Sequence, residues 1–68
     1  MSDAVYKTVD IVGSSATSIE DAIEGAIAKA SETIHNLNWL EVGEIRGHIE
    51  NGKVAHYQVG MKVGFRLD

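Results

Sequence analysis

The sequence contains no cysteine and no proline, and its aromatic residues are one tryptophan, two tyrosines and one phenylalanine among 68 residues. Without cysteine there is neither a disulfide nor a cysteine zinc site, the usual supplements to a small core. A domain of this length buries only about 60% of the surface that its unfolded chain exposes. We therefore expect a single domain over residues 1–68 that gains further stability by self-association.

Positive charge is also scarce, with six Lys and Arg against ten Asp and Glu and a net charge of −4. Because this balance repels phosphate backbones and no basic cluster exists, we expect no nucleic-acid partner. No apolar run approaches the roughly 18 residues of a membrane span. Residues 1–10 lack the basic and apolar stretches of a signal peptide. We expect a cytoplasmic protein with no membrane partner.

The central part of the chain has the pattern of an amphipathic helix. Thr17–Glu20 fits a capping box with Thr17 as the N-cap. Apolar residues then recur at spacings of three and four up to an expected helix end at His35. The members of this stripe are Ile19, Ala22, Ile23, Ala26, Ile27, Ala30 and Ile34. Such a stripe needs a sheet to cover it.

Three strands are predicted around this helix. Val5–Val12 is rich in β-branched residues, and Gly13–Ser15 follows as a break. From Trp39 onward the chain predicts a hairpin whose turn, Asn51–Gly52, is typical of type I′. The order is β-α-β-β. The fold class is α+β, with one amphipathic helix packed on a three-stranded antiparallel sheet.

The two-residue turn sets the pairing of the hairpin strands, because it places Glu50 opposite Lys53. Counting back without a bulge pairs His48 with Ala55, Arg46 with Tyr57, Ile45 with Gln58, Val42 with Met61, Leu40 with Val63 and Trp39 with Gly64. Leu40 and Val42 should then lie under the helix. Trp39 should lie on the opposite face, where Gly64 leaves space for a planar ring.

The tip of the hairpin should extend beyond the helix, since strands rise about 3.3 Å per residue and helices about 1.5 Å. Ile45, Ile49 and Val54 would be left uncovered there. Uncovered apolar side chains favour association with other copies of the chain.

The sequence shows no constellation of catalytic residues. The count above puts His48 and His56 on opposite faces of the hairpin, so that no metal site is expected. The chain has no dinucleotide-binding or Walker motif. No carboxylate has an acid–base partner. We therefore expect a protein that is not an enzyme.

Four segments carry a resemblance to a known family. They are NLNWLEV at Asn36–Val42, EIRG at Glu44–Gly47, YQV at Tyr57–Val59 and VGFRL at Val63–Leu67. With the helix before them they closely resemble the dodecins, small flavin-binding proteins that assemble as hollow spherical dodecamers. The resemblance covers nearly the whole chain.

The resemblance implies a set of flavin-binding residues. It implies that Trp39 stacks on the isoalloxazine ring and that Gln58 hydrogen-bonds the polar edge of the ring. Arg46, Arg66, Gly64 and Lys7 match positions that contact the flavin phosphate or neighbouring groups. The implied cofactor is FMN, riboflavin or FAD. Because some relatives also bind coenzyme A, that ligand stays open as well.

The hairpin count constrains this implied site. Gln58 is paired six residues away from Trp39, which places the two about 20 Å apart in one subunit. A ring that touches both must lie between subunits of a homododecamer. The implied function is non-enzymatic storage of flavin with its photochemistry quenched. Two alternatives remain, a flavin-dependent redox enzyme and a structural or coenzyme-carrier oligomer in which Trp39 only packs an interface.

Overall fold

The computed structural model describes residues 3–67 of the 68-residue chain. Its elements are β1 (Tyr6–Ser15), α1 (Ile19–Ala30), β2 (Leu37–Glu50) and β3 (Lys53–Arg66). The strand order is β1-β3-β2 and both pairings are antiparallel. The predicted β-α-β-β order and the single helix on a three-stranded antiparallel sheet are confirmed. No helix in this part of the chain is long and apolar enough to cross a membrane.

Strand β1 is longer than predicted and passes directly beneath α1. It continues through Gly13 to Ser15, so the predicted break at Gly13 was wrong. A methyl group at Gly13 would overlap the carbonyl oxygen of Ala22 and lie 2.9 Å from Cβ of Ala26. The glycine therefore serves the close approach of strand and helix rather than a turn.

The helix begins one residue later than predicted, because Ser18 rather than Thr17 is the N-cap. The hydroxyl of Ser18 accepts a hydrogen bond from the backbone N–H of Asp21 at 3.0 Å. The buried Ser15 hydroxyl donates to the Asp21 carboxylate at 2.7 Å and accepts from the N–H of Thr17 at 2.9 Å. Two neighbouring hydroxyl residues precede the same acidic turn, and the sequence alone does not distinguish them.

The helix also ends earlier than the predicted His35. Its last regular residue is Ala30, although the N–H of Ile34 still donates to the Ala30 carbonyl at 2.9 Å. Asn36 then adopts a φ of 65° and turns the chain into β2. Asparagine tolerates this left-handed conformation better than most residues.

The core lies between α1 and the strands β1 and β3. Its buried members are Ala22, Val59, Met61 and Val63, and its partly buried members are Val9, Ile11, Ile19, Ile23, Ala26, Ile27 and Leu37. The helix does not cover β2, which is an edge strand. Leu40 and Val42 are consequently 38% and 41% exposed, so the prediction that the helix buries them was wrong.

The hairpin tip extends past the helix as predicted, and the described chain measures 57 × 20 × 14 Å. Ile45, Ile49 and Val54 are exposed. The turn is also confirmed, since Asn51 and Gly52 have φ values of 53° and 75°, as type I′ requires.

The predicted register of β2 and β3 is correct at both ends and wrong in the middle. Glu50 opposes Lys53, Val42 opposes Met61, Leu40 opposes Val63 and Trp39 opposes Gly64, as predicted. Bulges lie between His48 and Ile49 and between Val42 and Ile45, and a third register shift lies beyond the predicted pairs, between Leu37 and Trp39. Between these bulges Ile45 opposes Val59, Arg46 opposes Gln58, Gly47 opposes Tyr57 and His48 opposes His56. The predicted pairs Ile45–Gln58, Arg46–Tyr57 and His48–Ala55 were therefore wrong.

The shifted register changes which side chains share a face. We call the side of the sheet away from α1 the outer face. Gln58 alternates with buried Val59 and therefore lies on the outer face. Because directly opposed residues share a face, Arg46 lies on the outer face as well. Ile45 instead joins buried Val59 on the helix side.

Candidate functional site

The outer face carries the single tryptophan against a glycine. Trp39 opposes Gly64 across β2 and β3, and Thr8 opposes Gly64 from β1. A methyl group at Gly64 would overlap Cε2 and Cζ2 of the indole and lie 2.7 Å from its Nε1. The nitrogen-bearing side of the indole, at Nε1, Cε2 and Cζ2, therefore lies against the bare backbone of Gly64. The space expected there for a ligand ring is filled by Trp39 itself.

The indole packs against Gly64 and Tyr6 and remains accessible. Trp39 is 41% exposed. The ring of Tyr6 lies 6.4 Å from it, centroid to centroid, at an interplanar angle of 63°, an edge-to-face contact. Sequence reasoning missed Tyr6, because only the pairing of β1 with β3 brings it to this corner. We call Tyr6, Trp39 and Gly64 the aromatic corner.

Arg66 lies beside the aromatic corner. It opposes Tyr6 in the β1–β3 pairing and stands two residues beyond Gly64, so that strand alternation places it on the outer face. Its side chain is exposed. The structure thus places Arg66 near Trp39 and Gly64 on the outer face.

Arg46 and Gln58 form a second, polar group on the same face. They oppose each other across β2 and β3, and the Arg46 guanidinium donates to the Glu44 carboxylate. Together with Gly60 and other residues they line a depression of about 510 Å³. Along β3, Gln58 lies six residues from Gly64, which corresponds to about 20 Å. One planar ring cannot contact Trp39 and Gln58 of the same subunit.

Lys7 is separated from the other candidate residues. It opposes Phe65, and alternation places it on the helix side of the sheet, away from Trp39. Within one subunit the structure brings Trp39, Gly64 and Arg66 together and leaves Lys7 apart.

The two hairpin histidines are neighbours, so their predicted placement on opposite faces was wrong. The rings of His48 and His56 stack with centroids 5.1 Å apart and an interplanar angle of 20°. The extra residue in β3, Ala55, produces this pairing. Within residues 3–67 there is no assembled group of three or more His, Cys, Asp or Glu side chains that could hold a metal ion.

One helix on an antiparallel three-stranded sheet, with a half-exposed tryptophan on the open face, defines a small α+β fold. The family model of dodecin matches residues 5–68, and the chain belongs to the dodecin family. Dodecins are small ligand-binding proteins.

Known dodecins match this chain over almost its whole length. The dodecin of Thermus thermophilus is 50% identical over 64 residues, which are 94% of this chain and 93% of that protein. The structure of the dodecin from Streptomyces davaonensis is 52% identical, with a TM-score of 0.94 and 98% of each chain covered. The calcium dodecin of Mycobacterium tuberculosis is 28% identical, with a TM-score of 0.81 over 94% of this chain and 91% of that chain.

Proposed function

We propose that this protein is a non-enzymatic flavin-binding protein. It holds FMN, riboflavin or FAD between the subunits of a homododecamer, where it stores the flavin and quenches its photochemistry. The observation that carries this proposal is the accessible indole of Trp39, positioned by the bare backbone of Gly64 on the open face of the sheet.

A positioned indole is a stacking platform for an isoalloxazine ring. Offset stacking of two aromatic systems contributes on the order of 1 kcal/mol beyond the area that it buries. The contacts of Trp39 with Gly64 and Tyr6 restrict its motion, so less side-chain entropy is lost when a ring binds. The same stacking allows electron transfer from the indole to the excited flavin, which quenches its fluorescence.

The distance between Gln58 and the aromatic corner of the same subunit supports a site shared between subunits. A carboxamide offers both a donor and an acceptor, which suits the pyrimidine edge of a flavin. Because Gln58 lies about 20 Å from the aromatic corner of its own subunit, it meets a ring stacked on Trp39 of another copy. Flavin binding therefore depends on assembly.

The exposed edge strand supports the assembly itself. Strand β2 presents unpaired backbone groups and the exposed apolar residues Leu40, Val42 and Ile45. Apolar side chains along an open edge are typical of a surface that other chains cover.

Phosphorylated flavins gain a further interaction under this proposal. Arg66 beside the aromatic corner and Arg46 beside Gln58 are suited to phosphate, because guanidinium binds phosphate through charge-assisted hydrogen bonds. Lys7 lies on the helix side and contributes only through a neighbouring subunit. Coenzyme A is a second ligand that these basic side chains suit.

We propose flavin rather than calcium, the ligand named for the Mycobacterium tuberculosis relative. Calcium takes six to eight oxygen ligands, whereas the grouped residues here are an indole, a phenol ring and a bare backbone. A redox enzyme needs an accessible ring face next to its substrate, and a flavin enclosed between Trp39 and a second subunit offers little access.

A fluorescence titration with riboflavin and FMN tests the proposal. We expect the assembled parent protein to quench flavin emission and to saturate at a fixed ratio of flavin to subunit. Trp39→Ala should lose most of the quenching and affinity while size-exclusion chromatography shows unchanged assembly. If Trp39→Ala instead disrupts assembly, and the assembled parent binds no flavin, Trp39 is interface packing and the structural-oligomer alternative is correct.

A further inference from the structure

The histidine pair near the hairpin tip is a second group of chemistry-bearing side chains, separate from the aromatic corner. His48 and His56 oppose each other across β2 and β3. Their rings are 5.1 Å apart, centroid to centroid, and inclined by only 20°. The bulge at Ala55 creates this arrangement, because without it His48 would oppose Ala55 itself.

Two facing imidazoles suit a transition metal ion. Zinc binds imidazole nitrogen at about 2.0–2.1 Å, so two nitrogens on one tetrahedral ion lie roughly 3.3 Å apart. Opposed side chains on neighbouring strands have Cβ atoms about 4.5–5.5 Å apart, and two rings there reach that separation by tilting toward each other. The side chain of His48 is 57% exposed, which leaves it free to tilt.

A carboxylate lies within reach of this pair. Glu50 stands two residues beyond His48 on the same face of β2, and its Oε2 is 3.9 Å from Nε2 of His48. Its side chain is 63% exposed. Lys53 opposes Glu50 across the turn. Two imidazoles therefore form the primary chelate, with Glu50 as the third ligand that an ion can recruit.

We propose that His48 and His56 bind a late first-row divalent cation, of which Zn²⁺, Ni²⁺ and Cu²⁺ have the required preference for imidazole. Glu50 and water complete the coordination, since residues 3–67 hold no assembled group of three or more ligands. The site takes nitrogen ligands and so differs in chemistry from a calcium site. It is independent of the flavin proposal.

Calorimetric titration of the untagged, metal-stripped protein with Zn²⁺ near neutral pH tests this inference. We expect one ion per subunit, because the two imidazoles of one hairpin form a single chelate. His48→Gln and His56→Gln should each weaken binding about tenfold or more, since the chelate becomes a single ligand. Glu50→Gln should weaken it less.

His35→Gln is the matched control, because it removes the third histidine, which lies outside the hairpin between α1 and β2. It should leave the affinity and stoichiometry for Zn²⁺ unchanged. Circular dichroism and size-exclusion chromatography identify any variant that misfolds or dissociates. Where a glutamine variant misfolds or dissociates, the asparagine variant at the same position is used instead.

Copper titration of the same proteins supplies a readout of the ligands themselves. The electron paramagnetic resonance spectrum of bound Cu²⁺ should show two nitrogen ligands in the parent and one in His48→Gln. The inference is overturned if the parent binds no Zn²⁺ in the calorimeter. It is also overturned if folded His48→Gln and His56→Gln bind as tightly as the parent, or if His35→Gln loses as much affinity as they do.

Discussion

The indole of Trp39 lies against the backbone of Gly64 so closely that a single methyl group at Gly64 would overlap it. Trp39 can occupy this position only because Gly64 has no side chain. In turn, the indole covers the backbone of Gly64 on the outer face. The position of the proposed flavin-stacking surface therefore depends on Gly64, which has no side chain of its own to contact the flavin.

Replacing Gly64 by alanine tests this dependence. The new Cβ would displace the indole from its position over β3, so the stacking platform would be lost while the tryptophan remains in the sequence. We expect flavin affinity to fall about tenfold or more, because stacking of a misplaced ring no longer coincides with the other contacts. Fluorescence titration with riboflavin and FMN measures the flavin affinity of this variant.

Gly47→Ala is the control for that experiment. A methyl group at Gly47 meets Cγ1 of Val54 at 3.5 Å, an ordinary contact. Gly47→Ala adds the same methyl group to β2, the strand next to β3, and should leave flavin binding close to that of the parent. Parent-like binding by Gly64→Ala would show that the position of Trp39 does not matter for the site.

Arg66 should distinguish phosphorylated from unphosphorylated flavin. Under the proposed function, Arg66→Gln removes a partner of the phosphate, and we expect FMN affinity to fall by up to about tenfold, in the range of exposed charge-assisted contacts. Riboflavin affinity should change little. Lys29→Gln on the exposed side of α1 removes the same charge elsewhere and should affect neither ligand. Equal losses for FMN and riboflavin would place Arg66 away from the phosphate.

Replacing Gly13 and Gly25 by alanine should change the stability of the protein in opposite directions. Gly13→Ala forces a methyl group against the Ala22 carbonyl beneath the helix, and we expect the free energy of unfolding to fall by about 1–3 kcal/mol. Gly25→Ala on the exposed side of α1 meets nothing within 4 Å outside the helix's own backbone and its chain neighbours, and it should raise the free energy of unfolding by about 0.5–1 kcal/mol. Denaturant unfolding at one fixed protein concentration checks both, because assembly contributes to the measured stability. A tolerated Gly13→Ala would contradict the close packing of β1 on α1.

The features that the sequence predicted are those set by local chemistry. The apolar stripe of α1 and the turn at Asn51–Gly52 follow from spacing and from φ preferences. The pairing of Trp39 with Gly64 was also predicted, although two bulges lie between it and the turn. The extra residue in β3 and the extra residue in β2 cancel, so counting from the turn still gives the correct pairs beyond Val42.

The features that the sequence did not predict depend on non-local contacts. Between the two bulges the register is shifted by one, which carries Arg46 and His48 to the outer face. No residue pattern in either strand identifies a pair of compensating bulges. The exposure of Leu40 and Val42 follows from the position of β2 at the sheet edge, which element order alone does not fix.

The central claim is that the flavin site combines Trp39 of one subunit with Gln58 of another. Mixed assemblies test it most directly, since Trp39→Ala and Gln58→Ala subunits each lack one half of the site. The two variants are unfolded together, reassembled in equal amounts and titrated with riboflavin, with each variant reassembled alone as the control. The account predicts that each alone binds weakly and that about a quarter of the parent's sites return in the mixture, because statistical mixing places a tryptophan and a glutamine side by side across some interfaces. A mixture that binds no more flavin than the two variants alone would contradict a shared site.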